Sequence, residues 1–287
     1  MPSVAAIVVT YNPDRSVVDN ILNYIDEVDS IIAVDNSEKA HSRFVSFAER
    51  RKWIYVQNGT NLGIARALNV GMKEAQKRHA DYALLMDQDS RFFDAASSVS
   101  ALVACMEANK SNFMVSSVVN TKGLESGKTV EGCREVEVCI TSGTLLNLSL
   151  VEEVGWHREK LFIDYVDLEY ALRARRSGYR IVQANRSAIN HCLGNSKKVS
   201  LRWLPSYSTY TTNHSPLRRY YRLRNALYVW KEFEAFDPVW VRRNRRFFLN
   251  DIRKVLLFET DRRSKIKACY RAWKDYRNNA FGKKERV

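Results

Sequence analysis

Tyr82-Ala83-Leu84-Leu85-Met86-Asp87-Gln88-Asp89-Ser90 is the stretch on which the fold turns. Residues 82–86 form an apolar run without helical spacing, the mark of a buried strand, and the run stops at two carboxylates one residue apart. Upstream the same pattern recurs. Residues 4–10 form an apolar strand ended by Asn12-Pro13-Asp14, and residues 31–34 a second one ended by Asp35-Asn36-Ser37. Between them Val17, Val18, Ile21, Leu22, Ile25 and Val28 recur at helical spacing, predicting a helix over 16–28. Helices over 43–51 and 64–77 and a strand over 53–56 complete the alternation. This predicts an α/β fold with a Rossmann-like, parallel sheet. Ligands of such sheets bind beyond the carboxyl ends of the strands. The polar clusters Thr10-Tyr11-Asn12, Asp35-Asn36-Ser37 and Asp87-Gln88-Asp89-Ser90 all fall there.

Past residue 94 the pattern is less regular: a helix over 96–108, strands over 113–119, 137–140 and 179–184, and a loop over 122–134. A short helix over 168–176 ends at Gly178, a favoured C-terminal cap. After residue 215 the chain turns basic, aromatic and helical. Lys and Arg outnumber Asp and Glu by 25 to 24 in residues 1–214 and by 21 to 8 in 215–287. Such a block meets an anionic partner or forms a solvated helical surface. A hydrophobic fraction of 45% with 5 Pro and 11 Gly excludes disordered and collagen-like chains. No apolar run reaches the roughly 18 residues that span a bilayer. No basic segment precedes residues 4–9, so no secretory signal is expected. The 5 cysteines form no CxxC pair and read as reduced cytosolic thiols.

Two carboxylates at a strand end can divide a task, one ligating a hard divalent cation and the other a ribose hydroxyl or a metal-bound water. With its neighbours in order, this sequence resembles the family-2 glycosyltransferases of GT-A fold over residues 3–225. The motifs are Val8-Val9-Thr10-Tyr11-Asn12, Val34-Asp35-Asn36-Ser37, Asn61-Leu62-Gly63-Ile64-Ala65-Arg66-Ala67-Leu68-Asn69-Val70-Gly71 and Met86-Asp87-Gln88-Asp89-Ser90. The resemblance implies a mixed, mainly parallel sheet flanked by helices, with a basic helical C-terminal region. Residues 1–214 would be the catalytic domain, 1–120 its nucleotide-sugar half and 121–214 its acceptor half, with 215–287 the C-terminal region.

The same resemblance implies the site. Thr10, Tyr11, Asn12, Asn61, Gly63 and Arg66 would lie along the nucleotide, Asp35 would accept from the pyrimidine N3–H, and Asp87 would contact the donor. Asp89 and His191, with Asp87 as a weaker partner, would hold Mg²⁺ or Mn²⁺. His191 opens an HxxGxS-like element, Asn190-His191-Cys192-Leu193-Gly194-Asn195-Ser196. In Phe162-Ile163-Asp164-Tyr165-Val166-Asp167-Leu168-Glu169 the family's acidic pair falls on Val166 and Asp167. Asp167 is then the general base and, because Val166 breaks the pair, Asp164 a contender. An alternative use of Asp167 is to cap the following helix. Ser142-Gly143 resembles the small-residue turn beside the acceptor, and an ordinary strand-end turn is equally open. Within Ser215-Pro216…Tyr220-Tyr221-Arg222-Leu223-Arg224-Asn225, Arg224 and Asn225 would reach the donor diphosphate.

These motifs look most like those of bacterial rhamnosyltransferases of O-antigen or other surface polysaccharides. That implies dTDP-L-rhamnose as donor, inversion at the anomeric carbon and a lipid-linked glycan acceptor. The protein would work in the cytoplasm, peripheral at the inner face of the membrane, with basic residues and Trp230, Trp240, Phe247, Phe248 and Trp273 at an anionic lipid surface. A UDP-sugar donor is the alternative within the family. Outside it stand a nucleotidyltransferase, which would need a basic Gly-rich loop after the first strand, and a nucleic-acid binder using the aromatic, basic tail. Tyr11-Asn12-Pro13-Asp14 is no such loop, and acidic strand ends repel nucleic acid.

Overall fold

A computed structural model describes residues 2–120, 132–191, 197–201 and 204–285. By its internal contacts the chain divides into two units, the first comprising Met1–Phe162 and Val166–Cys192, the second Ile163–Tyr165 and Leu193–Val287. The expected boundary at 214/215 thus lies inside the second unit.

The first unit opens with β1 (Val4–Thr10), α1 (Arg15–Leu22), β2 (Ser30–Asp35), α2 (Ser42–Arg50), β3 (Ile54–Gln57), α3 (Ile64–Lys77) and β4 (Tyr82–Asp87). It continues with β5 (Ser90–Phe92), α4 (Ala95–Glu107), β6 (Asn112–Asn120), β7 (Cys133–Glu135), β8 (Thr144–Asn147), α5 (Val151–Val154), α6 (Val166–Arg176) and β9 (Arg180–His191). The sheet runs β3-β2-β1-β4-β8-β6-β9-β5, with β7 also on β9. Strands β3, β2, β1 and β4 are parallel, whereas β8 runs antiparallel to both β4 and β6. Alternate residues of β1 serve two cores. Val4, Ala6 and Val8 face one with α1, α2 and α4, while Ala5, Ile7 and Val9 face the other with α3 and α6. Burial on both faces is why these strands read as continuous apolar runs.

Several expectations are revised. The helix over 16–28 stops at Leu22, where Asn23 turns its Oδ1 to the Phe92 amide at 2.7 Å. Ile25 and Val28 still pack on the core, from a 3₁₀ turn and an extended residue. The strand expected over 137–140 lies instead at Cys133–Glu135, because pairing with β9 ends there. The Glu137 carbonyl accepts from the Arg175 guanidinium at 3.5 Å rather than from a strand. The loop over 122–134 falls outside the described residues up to 131. Cys105 and Cys133 form a disulfide, with Cα atoms 5.9 Å apart, so the reading of all thiols as reduced is corrected. No local motif foretold it: the two cysteines are 28 residues apart, and packing of α4 on β9 brings them together.

In the second unit β10 (Lys197–Leu201) pairs antiparallel with β11 (Leu204–Thr211), followed by α7 (Pro216–Phe233), α8 (Pro238–Phe258) and α9 (Arg262–Arg277). Ser215 and Asp237 cap α7 and α8, each with Pro at the first turn. A buried ionic network ties the helices together. Arg219 on α7 pairs with Asp251 and, at 2.8 Å, with Glu259, and Glu259 also takes Lys265 of α9 at 3.0 Å. Burial would raise the Glu259 carboxyl, but the Thr211 and Lys265 hydrogen bonds and the cations of Arg219 and Lys265 outweigh it and hold it below its ordinary range. No helix among the described residues is long and apolar enough to cross a membrane.

Candidate active site

Register sets four strand ends side by side. Thr10 pairs with Asp35, Val9 with Asp87, and Asp35 with Gln57, so the polar ends of β1, β2, β4 and β3 form one row. Asp35 is wholly buried in it. Its Oδ1 accepts from the Ser37 amide at 2.9 Å and from the Ser37 hydroxyl at 2.5 Å, and its Oδ2 from the Tyr55 hydroxyl at 2.7 Å. Three of about four acceptor positions are therefore filled by protein donors. Burial and the Asp35 carboxylate together raise the Tyr55 phenol, which stays a donor. Asn12 bonds the Ser37 hydroxyl through its amide at 2.7 Å and adopts a left-handed φ of 48°. Thr10 is buried, with its hydroxyl unpartnered.

The turn after β4 is built by its middle residue. Gln88 accepts from the Tyr11 amide at 2.8 Å and donates to the Tyr11 carbonyl at 3.3 Å, tying the turn to the end of β1. Its own carbonyl accepts from Asn20 at 2.9 Å. Ser142 accepts from the Asp87 amide at 3.1 Å. Asp89 is exposed and Asp87 half-buried. Directly after Asp89, β5 pairs antiparallel with β9, and Ser90 stands opposite His191. Among the described residues no group of three His, Cys, Asp or Glu side chains forms a metal cluster; the backbone of His191 stands opposite Ser90, the residue after Asp89. Two carboxylates one residue apart at a strand end are hard oxygen donors of the kind that fit Mg²⁺ or Mn²⁺. The remainder of the HxxGxS-like element lies outside the described residues.

The Asn61–Gly71 motif is largely architectural. Asn61 accepts from the Gly63 amide at 3.0 Å, and Gly63 takes a φ of 85° with Phe162 pressed where a Cβ would stand. The Phe162 carbonyl accepts from the Ile64 amide at 2.8 Å. Asn69 reaches back to the His157 carbonyl at 2.9 Å. Arg66 is the exposed member, 3.7 Å from Glu159. Gly143 is likewise a packing glycine: φ is 71°, and a Cβ would meet Ile189 at 2.8 Å.

Asp167 is the second residue of α6, half-buried, and accepts from the Leu168 amide at 2.9 Å. Its charge is felt at Cys139, whose thiol is pushed up to about 12, chiefly by burial. Thr144, at the start of β8, pairs with Leu85, two residues before Asp87, and its hydroxyl lies 3.9 Å from the Cys139 sulfur. Glu169 faces inward to Arg158 at 2.7 Å and Arg173 at 2.8 Å. In the second unit, Asp164 pairs with Arg218 at 2.7 Å. Asp164 and Tyr165 are left-handed, with φ of 62° and 65°, a strained backbone of the kind found at functional sites. Asn225 clamps it by donating to the carbonyls of Ile163 at 2.7 Å and Asp164 at 2.9 Å. Arg224 is buried, donating to the Gly282 carbonyl at 2.8 Å and lying over the rings of Tyr220, Tyr221 and Phe281.

Residues 6–144 match the model of Glycosyl transferase family 2. The dTDP-rhamnosyl transferase RfbF of Shigella flexneri is 28% identical over 245 residues, which cover 80% of each chain. The chain resembles the family-2 glycosyltransferases. Its fold is that of S. aureus TarS, whose residues 1–349 in complex with UDP-GlcNAc superpose with a TM-score of 0.60 at 14% identity, covering 96% of this chain and 80% of that one. GalNAc-T7, solved with UDP, GalNAc and Mn²⁺, gives 0.58 at 12% identity, covering 66% of this chain and 43% of that one. The chain thus spans less than half of that longer chain, as it does of a longer TarS structure at 44%. Sequence reasoning passed over Ser37, Tyr55 and Gln88, which fix the site's acids and turn. Their positions beside Asp35 and between the two acids were the available signal for Ser37 and Gln88; Tyr55 had none, because it reaches Asp35 across the sheet.

Proposed function

We propose that the chain transfers L-rhamnose from dTDP-L-rhamnose, with inversion, to a hydroxyl of a lipid-linked saccharide in bacterial surface-polysaccharide synthesis. It works in the cytoplasm, at the inner face of the membrane. The observation that carries the transfer chemistry is the row of strand ends bearing Asp35, Thr10 and Asp87, with the Asp87–Asp89 turn set against His191. The likeness to RfbF supports the donor.

In this reading Asp35 offers its remaining acceptor position to the pyrimidine N3–H, and Thr10, Tyr11, Asn12, Asn61, Gly63 and Arg66 form the nucleotide's bed. Asp89 and His191, with Asp87, would hold Mg²⁺ or Mn²⁺, which supplies positive charge against the leaving diphosphate. Asp167 takes the proton of the acceptor hydroxyl as its oxygen bonds the anomeric carbon and the bond to the diphosphate breaks, releasing dTDP. Proton removal by a placed base contributes about 10²–10⁴ in rate. The Ser142-Gly143 turn stands next to the acceptor. Arg224, by its burial, acts as a structural group of the second unit.

Donor hydrolysis tests the reading without the acceptor. The purified chain should hydrolyse dTDP-rhamnose faster than UDP-GlcNAc, UDP-GalNAc or UDP-glucose, and dTDP with Mn²⁺ should raise its melting temperature, an effect reversed by chelator. Asp89→Ala should lose that metal-dependent rise and the hydrolysis together. Faster turnover of a UDP-sugar would replace the donor. Full activity in excess chelator would remove the metal from the scheme.

A further inference from the structure

The second unit carries a charged and apolar face that the transfer chemistry leaves unused. An apolar groove of about 590 Å³ lies between α8 and α9, floored by Leu223 and Trp230 of α7 and walled by Leu249, Leu256 and Ile266. Beside it, Ile266, Tyr270 and Trp273 recur along α9 at i, i+4 and i+7, exposed by 52%, 63% and 43%. Long apolar side chains this open, in a continuous row, need a cover.

Cations frame this apolar strip on both sides. On α8 the ridge next to Leu249 and Leu256 is Arg242, Arg246 and Arg253; on α9 the ridge beyond the apolar row is Arg263, Lys267 and Lys274, all six exposed. Between residues 238 and 277 there are 13 Lys and Arg and 4 Asp and Glu. Three of the four acids are turned away from solvent: Asp251 to Arg219, Glu259 to Arg219 and Lys265, and Asp275 to Tyr220 and Lys284. Asp261, at the corner between the helices, is the fourth. What faces out is an apolar centre between two basic ridges.

We propose that α8 and α9 dock this face on an anionic phospholipid bilayer, the apolar strip entering the headgroup boundary and the two ridges meeting lipid phosphates. The profile is that of an interfacial helix pair: an apolar stripe, a basic flank and low mean hydropathy. A second copy of the chain is disfavoured, because it would bring two basic ridges together. The inference deepens the peripheral placement proposed above and names its residues. It also alters them: Trp230, Trp240 and Phe248 are buried in the helical unit, and of the expected aromatics only Phe247 and Trp273 are exposed.

Co-sedimentation of the full chain with vesicles tests it, comparing pure phosphatidylcholine with a mixture containing phosphatidylglycerol. Binding is expected to the anionic vesicles alone at low salt, falling as salt rises. Ile266→Ser/Tyr270→Ser/Trp273→Ser and, separately, Arg242→Glu/Arg246→Glu/Arg253→Glu should each weaken it at least about tenfold. All six positions are exposed, so unchanged melting temperatures are expected and serve as the control. Equal binding to neutral vesicles, no binding at low salt, or wild-type binding by both variants would overturn the proposal. So would a dimer in light scattering that the α9 variant dissociates, since the occupant would then be a second copy. Donor hydrolysis in solution needs no membrane, so this proposal and the transferase reading fail independently.

Discussion

Asp164 and Asp167 are three residues apart, and their surroundings suit them to different work. Asp164 is held by the Arg218 guanidinium at 2.7 Å on a left-handed backbone that Asn225 clamps. Asp167, at the start of α6, accepts from the Leu168 amide at 2.9 Å. On the proposed reading Asp167 takes the acceptor's proton, and Asp164, engaged with Arg218, is a positioning residue. Asp167→Asn should therefore keep dTDP affinity and melting temperature near normal while transfer falls at least about a hundredfold. Asp164→Asn removes a partly exposed ion pair worth no more than about 1 kcal/mol. It should lower transfer modestly and leave the pH dependence of kcat unchanged. Loss of transfer in Asp164→Asn with survival in Asp167→Asn would move the base to Asp164.

At the scale of elements, α3 shows what the sequence disclosed and what it hid. Its bounds, Ile64–Lys77, follow from helical spacing, and the apolar runs expected over 53–56 and 82–86 fall within a residue of the strands flanking it, because local period and burial agree there. The strand ends and their acids were legible for the same reason. The pairing of β5 with β9, the place of β7 and the Cys105–Cys133 link were not, since each joins segments distant in sequence that carry no period of their own. Gly71 was legible as part of a motif, but its reason was not. A Cβ there would overlap Ile7 Cγ2 and stand 3.3 Å from Val34 Cγ2, so the glycine lets α3 lie close on β1 and β2. Helix propensity favours alanine by about 1 kcal/mol, whereas overpacking a core costs about 1–3 kcal/mol. Packing should win: Gly71→Ala should destabilise in urea titration. Ile7→Ala, itself a cavity mutation, should make the added methyl less costly, giving a favourable coupling in the double mutant. Additive losses would show that the helix shifts to make room.

Across the whole molecule, each unit holds a histidine that folding keeps neutral. His157, stacked 3.9 Å from Tyr170, is brought down to about 3 by burial and then by the Arg173 charge. His214 is brought down to about 4, again by burial first and then by Arg222, Arg218 and Arg219, against a smaller opposing effect of Asp164. Both start from an ordinary value of 6.5, so below that pH the unfolded chain binds protons that the folded chain refuses. Stability is therefore full above about pH 6.5 and falls on acidification, by about 1.4 kcal/mol per pH unit for a fully buried group such as His157. The window from 6.5 down to 5 precedes most carboxylate titration, which separates this effect from the loss of pairs such as Glu259 with Lys265. Glu259, held low, gives up its contribution only as pH falls through its depressed value. Melting temperature should thus decline from pH 7 to pH 5, and His157→Phe, which keeps an aromatic ring against Tyr170 but cannot protonate, should flatten that decline. A wild-type melting temperature constant from pH 7 to pH 5, or an unaltered slope in His157→Phe, would mean that His157 is charged in the folded protein.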